Sequence, residues 1–280
     1  MIPPEFDYVA PESIDAALAA LRDGGEDAKL LAGGHSLLPL MKLRLAAPTL
    51  LVDLAGVPGL SGIERANGGW RIGAMTPHAA MARESALGLP AKVASTIADP
   101  QVRHRGTIGG SLAHGDPASD QLAILLAYEG SVIVRGESGE REIAAAELFQ
   151  DYLTTAVGEG EVLTEVRLPA VDGYGFGYHK FNRRQEDWAM VAVSALVKKA
   201  ADGTCEDVRI GLTHMSSVPL RATAAEAALR GKPLDADSIA AAAEQAAEGT
   251  EPPADLNASA DYKRHLARVL TKRALADAAA

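Results

Sequence analysis

Residues 29–39 read KLLAGGHSLLP and residues 101–120 read QVRHRGTIGGSLAHGDPASD, and these two stretches decide what the rest of the chain is expected to form. Each contains a Gly-Gly pair that a serine soon follows, beside an apolar segment. Paired glycines let the backbone approach a ligand closely, and consecutive N–H groups in such turns form concavities that bind anions. Two such turns facing each other would hold a pyrophosphate without a lysine. A single turn of this kind is also common where no ligand binds, so the pattern alone leaves both interpretations open.

The apolar pattern around the two turns predicts helices and strands in mixed order. Helices are predicted over 11–21, 76–85, 90–97 and 121–128, and strands over 29–32, 50–54, 69–74, 131–135 and 161–168. Ser36 is expected to N-cap a segment over 37–45. Residues 99–120 are rich in Gly, Pro, Asp and Ser with little periodicity, which predicts a long functional loop.

The last third of the chain has a different organisation. Strands are predicted over 190–198 and 208–214, joined by a turn at Asp202-Gly203, and Ala-rich helices over 223–229, 237–247 and 260–276. Strands followed by helices favour a small separate α+β domain from about residue 175, with a boundary within 171–177.

Composition excludes several classes of function. The chain has 27 Lys and Arg against 37 Asp and Glu, a net charge of −10, which argues against a general nucleic-acid or anionic-membrane binder. One cysteine, Cys205, excludes an intramolecular disulfide, a cysteine-based zinc site and a self-contained iron–sulfur cluster. The seven histidines are scattered and predict neither a metal site nor a catalytic constellation. Without a secretory signal or an apolar run of membrane length, the chain is expected to be cytoplasmic.

Seven segments carry a resemblance to a known family. They are FDY (6–8), AGGHS (32–36), LLPLMKLRLAAP (37–48), the stretch 101–120, DYLTTAVGEGEVLTEVRLP (151–169), KFNRRQEDWAMVAVSA (180–195) and LNASADYKRHLARVLTKRAL (256–275). Together they resemble the FAD-binding subunit of molybdenum hydroxylases, most of all the medium subunit of aerobic carbon monoxide dehydrogenase and more distantly the xanthine dehydrogenase flavin domain.

The resemblance implies a fold of the α+β class. Two subdomains, about 1–55 and 56–172, would form a vanillyl-alcohol-oxidase/PCMH-like FAD-binding domain. A small α+β domain of the carbon monoxide dehydrogenase flavoprotein type, residues 175–280, would close over non-covalently bound FAD.

By matching position, the resemblance also implies the residues that bind the cofactor. These are Ala32, Gly33, Gly34, His35, Ser36, Ile97, Thr107, Ile108, Gly109, Gly110, Ser111, Asp120, Leu163, Lys180 and Trp188. The two glycine turns would hold the pyrophosphate mostly through backbone N–H groups, and a valine side chain at Gly33 or Gly109 is expected to occupy the cofactor's approach path and abolish FAD retention. The family often has Asn where this chain has Ser111.

The remaining positions have implied roles and ordinary structural alternatives. Asp120 would accept hydrogen bonds from cofactor hydroxyls, or else cap the helix predicted from residue 121. The backbone of Leu163 would approach the flavin ring, or Leu163 would be strand core. Lys180 would lie at the pyrimidine edge of the ring, or belong to a solvated charge cluster. Trp188 would lie over the flavin face, or pack in the core. Ile97 would lie beside the cofactor.

The function that the resemblance implies is electron transfer. FAD would collect electrons from the iron–sulfur clusters of a small [2Fe–2S] subunit, which receives them from a large molybdenum-cofactor subunit, and deliver them to a quinone, NAD or oxygen. The alternatives are a free-standing flavin-dependent oxidase or dehydrogenase, a xanthine dehydrogenase-type subunit, and a non-catalytic assembly protein that has lost flavin. The sequence names neither the substrate nor the terminal acceptor.

Overall fold

In the computed structural model, which describes residues 2–66 and 68–280, three sheets of three or more strands follow one another along the chain. The first unit consists of β1 (Asp7–Val9), α1 (Ile14–Gly24), β2 (Ala28–Leu31), α2 (Leu37–Lys42) and β3 (Leu50–Asp53). Its strands are parallel in the order β1-β3-β2. Ligands of parallel sheets bind at the carboxyl ends of strands, and the carboxyl end of β2 leads directly into the first glycine turn, residues 32–36.

Two helix starts differ from the sequence-based expectation in this unit. The hydroxyl of Ser13 accepts a hydrogen bond from Ala16 N at 3.1 Å, so α1 begins at Ile14 rather than at residue 11. Ser36 precedes α2, yet its backbone is already helical and its side chain makes no capping hydrogen bond. The predicted Ser36 cap is therefore wrong, and its hydroxyl is left for other contacts.

The second unit is a five-stranded antiparallel sheet in the order β4-β5-β10-β6-β7, with helices on it and a two-stranded ribbon, β8-β9, beside it. Its elements are β4 (Ile63–Ala66), β5 (Gly69–Gly73), α3 (His78–Arg83), α4 (Leu89–Ala94), α5 (Pro100–Arg105), α6 (Ile108–His114), α7 (Asp120–Ala127), β6 (Ser131–Gly136), β7 (Gly139–Ala144), α8 (Ala145–Leu148), β8 (Phe149–Asp151), β9 (Thr154–Thr155) and β10 (Val162–Pro169).

The prediction of one long loop over residues 99–120 is wrong, because α5 and α6 both lie within it. Side chains that the sequence already shows start these helices. Asp99 Oδ1 accepts from Val102 N at 2.8 Å, and Thr107 Oγ1 accepts from Gly110 N at 3.2 Å. The second glycine turn, residues 107–111, is thus the capped first turn of α6.

The third unit is a four-stranded antiparallel sheet in the order β11-β12-β13-β14, followed by three helices. Its elements are β11 (Tyr174–Phe181), β12 (Val191–Lys199), β13 (Cys205–Thr213), β14 (Leu220–Arg221), α9 (Thr223–Leu229), α10 (Ala236–Glu244) and α11 (Ala260–Ala279). The predicted antiparallel pairing around Asp202-Gly203 is confirmed. Mixed helix and sheet in all three units confirm the predicted α+β class.

The third unit packs on the second through its central strand, β12. Val191, Val193 and Ala195 on one face of β12 share a core with α11, whereas Leu196 on the other face joins the core of the second unit. Helix α7 lies against β12 and β13 on that second face. The start of α7 therefore meets β11, the neighbouring strand. Among the described helices, none combines the length and apolarity needed to cross a bilayer.

Candidate functional site

A cavity of about 660 Å³ lies where the three units meet. Both glycine turns line it, together with residues from β10, β11 and the loop after β11. Its volume is within the range of pockets that hold small molecules and cofactors. The structure therefore brings distant segments of the chain to one site.

Fourteen of the fifteen residues predicted to bind a cofactor line this cavity. The exception is Ile108, whose side chain is 3% exposed and packs in the core of the second unit. Its N–H donates to Thr76 O at 3.1 Å, so neither part of Ile108 faces a ligand as expected. A binding role for the other fourteen residues stays a prediction.

The first glycine turn offers unengaged donors. Within the residues that the structure describes, the N–H groups of Gly33, Gly34, His35 and Ser36 have no hydrogen-bond acceptor. Gly34 has a φ of +77°, a left-handed conformation that favours glycine. Such a row of amides after a strand and before a helix attracts anions.

The second glycine turn differs, because its amides already have acceptors. Besides Ile108, Gly109 N donates to Ala74 O at 2.8 Å, Gly110 N to the Thr107 hydroxyl, and Ser111 N to Thr107 O at 3.1 Å. The prediction that this turn binds mostly through backbone N–H groups is therefore wrong for these four amides. Thr107 and Ser111, which both line the cavity, each have a side-chain hydroxyl that could donate to a ligand there.

Each turn packs closely on a neighbouring segment through one of its glycines. A β-carbon at Gly33 would overlap the carbonyl oxygen of Arg105, and one at Gly109 would overlap Ala74. Either β-carbon would lie less than 3.0 Å from these atoms, so both glycines are required by packing within the protein itself, and an effect of larger side chains on the cofactor's path stays a prediction. The glycines are required because backbone segments approach closely there.

A buried ion pair forms another part of the wall. Lys180 Nζ donates to Asp120 Oδ2 at 2.8 Å, and Tyr178 Oη donates to Asp120 Oδ1 at 2.9 Å. The Lys180 and Asp120 side chains are only 7% and 5% exposed, so Lys180 does not belong to a solvated charge cluster. Asp120 is the first residue of α7 rather than its cap, because Ser119 holds the cap position.

Burial controls the protonation of these groups. It raises the pKa of the Asp120 carboxyl, while the charge and hydrogen bond of Lys180 and the Tyr178 hydroxyl oppose that rise. Burial also raises the pKa of Tyr178 well above its ordinary value, and Asp120 adds to this effect. Tyr178 is therefore a neutral donor to Asp120 at neutral pH.

The remaining predicted residues form apolar parts of the wall. Leu163 is 5% exposed and lies in β10 next to a β-bulge, so it is strand core and cavity wall at once. Ile97 precedes Ala98, whose φ is +41°, and Arg103 Nη1 donates to the carbonyl oxygens of both at 2.7 and 2.8 Å. Trp188 is 56% exposed, so the core-packing alternative is wrong.

Sequence reasoning missed three polar residues of the site. His78 lines the cavity and its Nε2 lies 3.2 Å from Ser111 Oγ. Tyr178 holds Asp120, and Glu161 accepts from Gly158 N at 2.6 Å, which fixes a loop at the cavity. Only its position after Thr76-Pro77, at a predicted helix start, distinguished His78 in the sequence. Tyr178 is found only through its contact with a residue 58 positions away, and Glu161 belongs to no motif that the sequence analysis singles out.

These residues fit an elongated ligand with an anionic middle. Unengaged amides and hydroxyls at the two turns suit a diphosphate, and apolar walls with a buried ion pair suit a ring system. Within residues 2–66 and 68–280, no group of three or more His, Cys, Asp or Glu is placed to hold a metal ion.

The comparisons with known proteins agree on one family. Residues 4–171 match the family model described as the FAD binding domain in molybdopterin dehydrogenase, and residues 176–278 match the CO dehydrogenase flavoprotein C-terminal domain. The chain is 42% identical to the carbon monoxide dehydrogenase medium chain of Hydrogenophaga pseudoflava, over 98% of this chain and 97% of that one. It is 39% identical to the 6-hydroxypseudooxynicotine dehydrogenase complex subunit alpha of Paenarthrobacter nicotinovorans, over 99% of this chain and 96% of that one.

A solved structure has the same fold. It is a carbon monoxide dehydrogenase from Hydrogenophaga pseudoflava that lacks the Mo-pyranopterin moiety of the molybdenum cofactor. One of its chains superposes with a TM-score of 0.95 and 44% identity, over 99% of this chain and 98% of that one.

Proposed function

The chain belongs to the family of FAD-binding subunits of molybdenum hydroxylases, and from this premise we propose that it is the medium, electron-transferring subunit of such an enzyme. It binds FAD non-covalently in the cavity between its three units. The observation that carries this proposal is the convergence of two glycine turns and a buried ion pair on that one cavity. When bound, the flavin supplies the redox chemistry, because it exchanges electrons singly and in pairs.

The protein's own residues bind and orient the cofactor. The amides of the first turn and the hydroxyls of the second turn donate to the diphosphate. Leu163, Ile97 and Trp188 provide apolar contacts for the ring. The Lys180–Asp120 pair lies at the ring edge, where its charges set the electrostatic environment of the flavin.

The partners and the direction of electron flow complete the proposal. A small [2Fe–2S] subunit brings electrons from a large molybdenum-cofactor subunit, and this chain passes them to a quinone, NAD or oxygen. The relatives' names refer to substrates as different as carbon monoxide and 6-hydroxypseudooxynicotine. The substrate is therefore expected to be selected by the molybdenum subunit. Cytoplasmic location stays a prediction.

Binding of FAD is tested by adding a charge at the first turn. Ser36 lines the cavity and its side chain caps no helix, so Ser36→Asp places a carboxylate beside the diphosphate. Two like charges about 5 Å apart repel by about 3 kcal/mol at an effective dielectric constant of about 20. We expect the FAD dissociation constant, measured by flavin fluorescence, to rise at least tenfold.

Ser36→Asn is the matched control, since it has nearly the same shape and no charge. It should bind FAD within a few-fold of the wild type. Equal affinity of all three proteins would place the diphosphate elsewhere, and wild-type protein that cannot be loaded with FAD would refute the function. Co-purification with a molybdenum subunit and an iron–sulfur subunit separates the subunit from a free-standing flavin enzyme.

A further inference from the structure

His78 is a buried polar residue that the proposed function leaves without a role. It is the first residue of α3, its side chain is 3% exposed, and it lies between the cavity and the loop before the second turn. Its Nε2 is 3.2 Å from Ser111 Oγ. Its Nδ1 is buried and has no hydrogen-bond partner among the described residues.

The charge state of His78 follows from its surroundings. Burial, and to a lesser extent the nearby His35, lower the pKa of His78 to about 4. The ring is therefore neutral at neutral pH and carries a single N–H proton. Only the tautomer decides which nitrogen donates.

The partnerless Nδ1 atom decides between the two tautomers. A proton on Nδ1 would leave a buried N–H group without an acceptor, which costs about 1–3 kcal/mol. Buried N–H groups without acceptors are rarer in proteins than acceptors that lack a donor. The proton therefore belongs on Nε2, where Ser111 Oγ is available to accept it.

This tautomer fixes the direction of the serine hydroxyl. When Ser111 Oγ accepts from His78, its own proton is free to point elsewhere, and Ser111 lines the cavity. In the other tautomer the serine would donate to Nε2, and its proton would be lost to the cavity. The backbone amides of residues 108–111 are already engaged, so a second-turn donor to a ligand has to come from a side chain.

We propose that His78 is a positioning residue: it donates from Nε2–H to Ser111 Oγ and so turns the serine hydroxyl toward the cavity, where it donates to the cofactor diphosphate. The inference rests on the proposed function for the identity of the ligand. It also explains how a serine serves at the end of the second turn, a position where an amide side chain would supply N–H donors of its own.

The tautomer is measured first, on the full-length protein without FAD. Nitrogen-15 NMR of histidine-labelled protein, with His78 assigned through the His78→Gln variant, should show a protonated Nε2 and an unprotonated Nδ1. A protonated Nδ1 would overturn the proposal without any reference to FAD.

The effect on binding is measured with two amide variants. Glutamine places its amide near the position of Nε2, whereas asparagine places it near Nδ1. We expect His78→Gln to keep the FAD dissociation constant within about threefold of wild type. His78→Asn and Ser111→Ala should each raise it about tenfold, the effect of one hydrogen bond to a charged group.

The double variant His78→Asn/Ser111→Ala distinguishes positioning from packing. If His78 acts through Ser111, the double variant binds FAD as Ser111→Ala does, within about twofold. If the two substitutions act independently, their effects multiply and the double variant raises the FAD dissociation constant near a hundredfold. That result would refute the inference, while FAD binding by the wild type would still support the proposed function. Melting temperatures of all variants, taken without FAD, identify any loss that comes from unfolding.

Discussion

Gly33 and Gly109 show how one residue type serves the site indirectly. Sequence reasoning assigned both glycines to the path of the cofactor. In the structure even a β-carbon at either position would overlap a neighbouring segment, at Arg105 or at Ala74, whether or not a cofactor is bound. The glycines hold the two turns and their supporting segments together, and the cavity is a consequence of that packing.

Replacement of either glycine by alanine is therefore expected to destabilise the protein itself. Overpacking against backbone that cannot move away costs about 1–3 kcal/mol, so Gly33→Ala and Gly109→Ala should lower the free energy of unfolding by about 2 kcal/mol or more, with or without FAD. Urea denaturation of the FAD-free protein measures this. Gly56→Ala is the control, because its β-carbon would meet only Pro11 O at 3.6 Å. Full stability of the two variants with selective loss of FAD would restore the original explanation.

The buried pair of Lys180 and Asp120 predicts opposite shifts of the FAD reduction potential when one or the other partner is replaced. Removal of one partner leaves the other charge uncompensated in a buried place. If the pair lies at the flavin edge, Lys180→Met should lower the reduction potential of bound FAD and Asp120→Asn should raise it, because a nearby positive charge favours the reduced, more negative flavin. Potentiometric titration of the FAD-loaded variants measures both shifts. Unchanged potentials in both variants would place the pair away from the ring.

At the scale of elements, the sequence predicts helices and strands correctly where the apolar periodicity or the capping residues give a strong local pattern. The strand before the first turn, the β12–β13 hairpin and the Ala-rich helices follow from local pattern, and all are present. Residues 99–120 were misjudged because glycine and proline content outweighed the capping residues Asp99 and Thr107. Gly109 is required in α6 because Ala74, directly after β5, lies so close, and a β-carbon at Gly110 would crowd the Thr107 hydroxyl.

The domain boundary expected within residues 171–177 stays a prediction, and a glycine in this region has a structural role. Strand β11 begins at Tyr174 and is paired along its whole length with β12. A β-carbon at Gly177 would overlap the backbone of α11, so this glycine permits close packing of helix on strand. Contacts of this kind join residues almost a hundred positions apart and leave no local signal. The roles of His78 and Tyr178 leave no local signal for the same reason, since their partners lie 33 and 58 positions away.

At the scale of the whole molecule, the cavity belongs to no single unit. The first unit contributes the first turn, the second contributes the second turn and Asp120, and the third contributes Lys180 and the loop over 186–188. Bound FAD should therefore connect all three. Its binding should also stabilise the chain by mass action, to an extent set by the FAD concentration relative to its dissociation constant.

Hydrogen exchange of the full chain with and without FAD tests this connection. Exchange should slow in residues 33–36 and in residues 186–188 when FAD is added, because both segments line the cavity and belong to different units. Residues 108–111 should be protected already without FAD, since their amides have acceptors. Helix α9, none of whose residues lines the cavity, should be unaffected. Protection confined to one unit would contradict a shared site.

The unequal engagement of the two glycine turns has a consequence for how the apoprotein loads its cofactor. The second glycine turn is set before any ligand arrives, because its amides over 108–111 already donate to Ala74, Thr76 and Thr107. The conformational entropy lost when FAD binds then comes from the first glycine turn alone. A binding site that is half preorganised loses less affinity to ordering. Until the cofactor binds, water is expected to hydrate the unengaged amides of residues 33–36. That water should be released when the diphosphate binds.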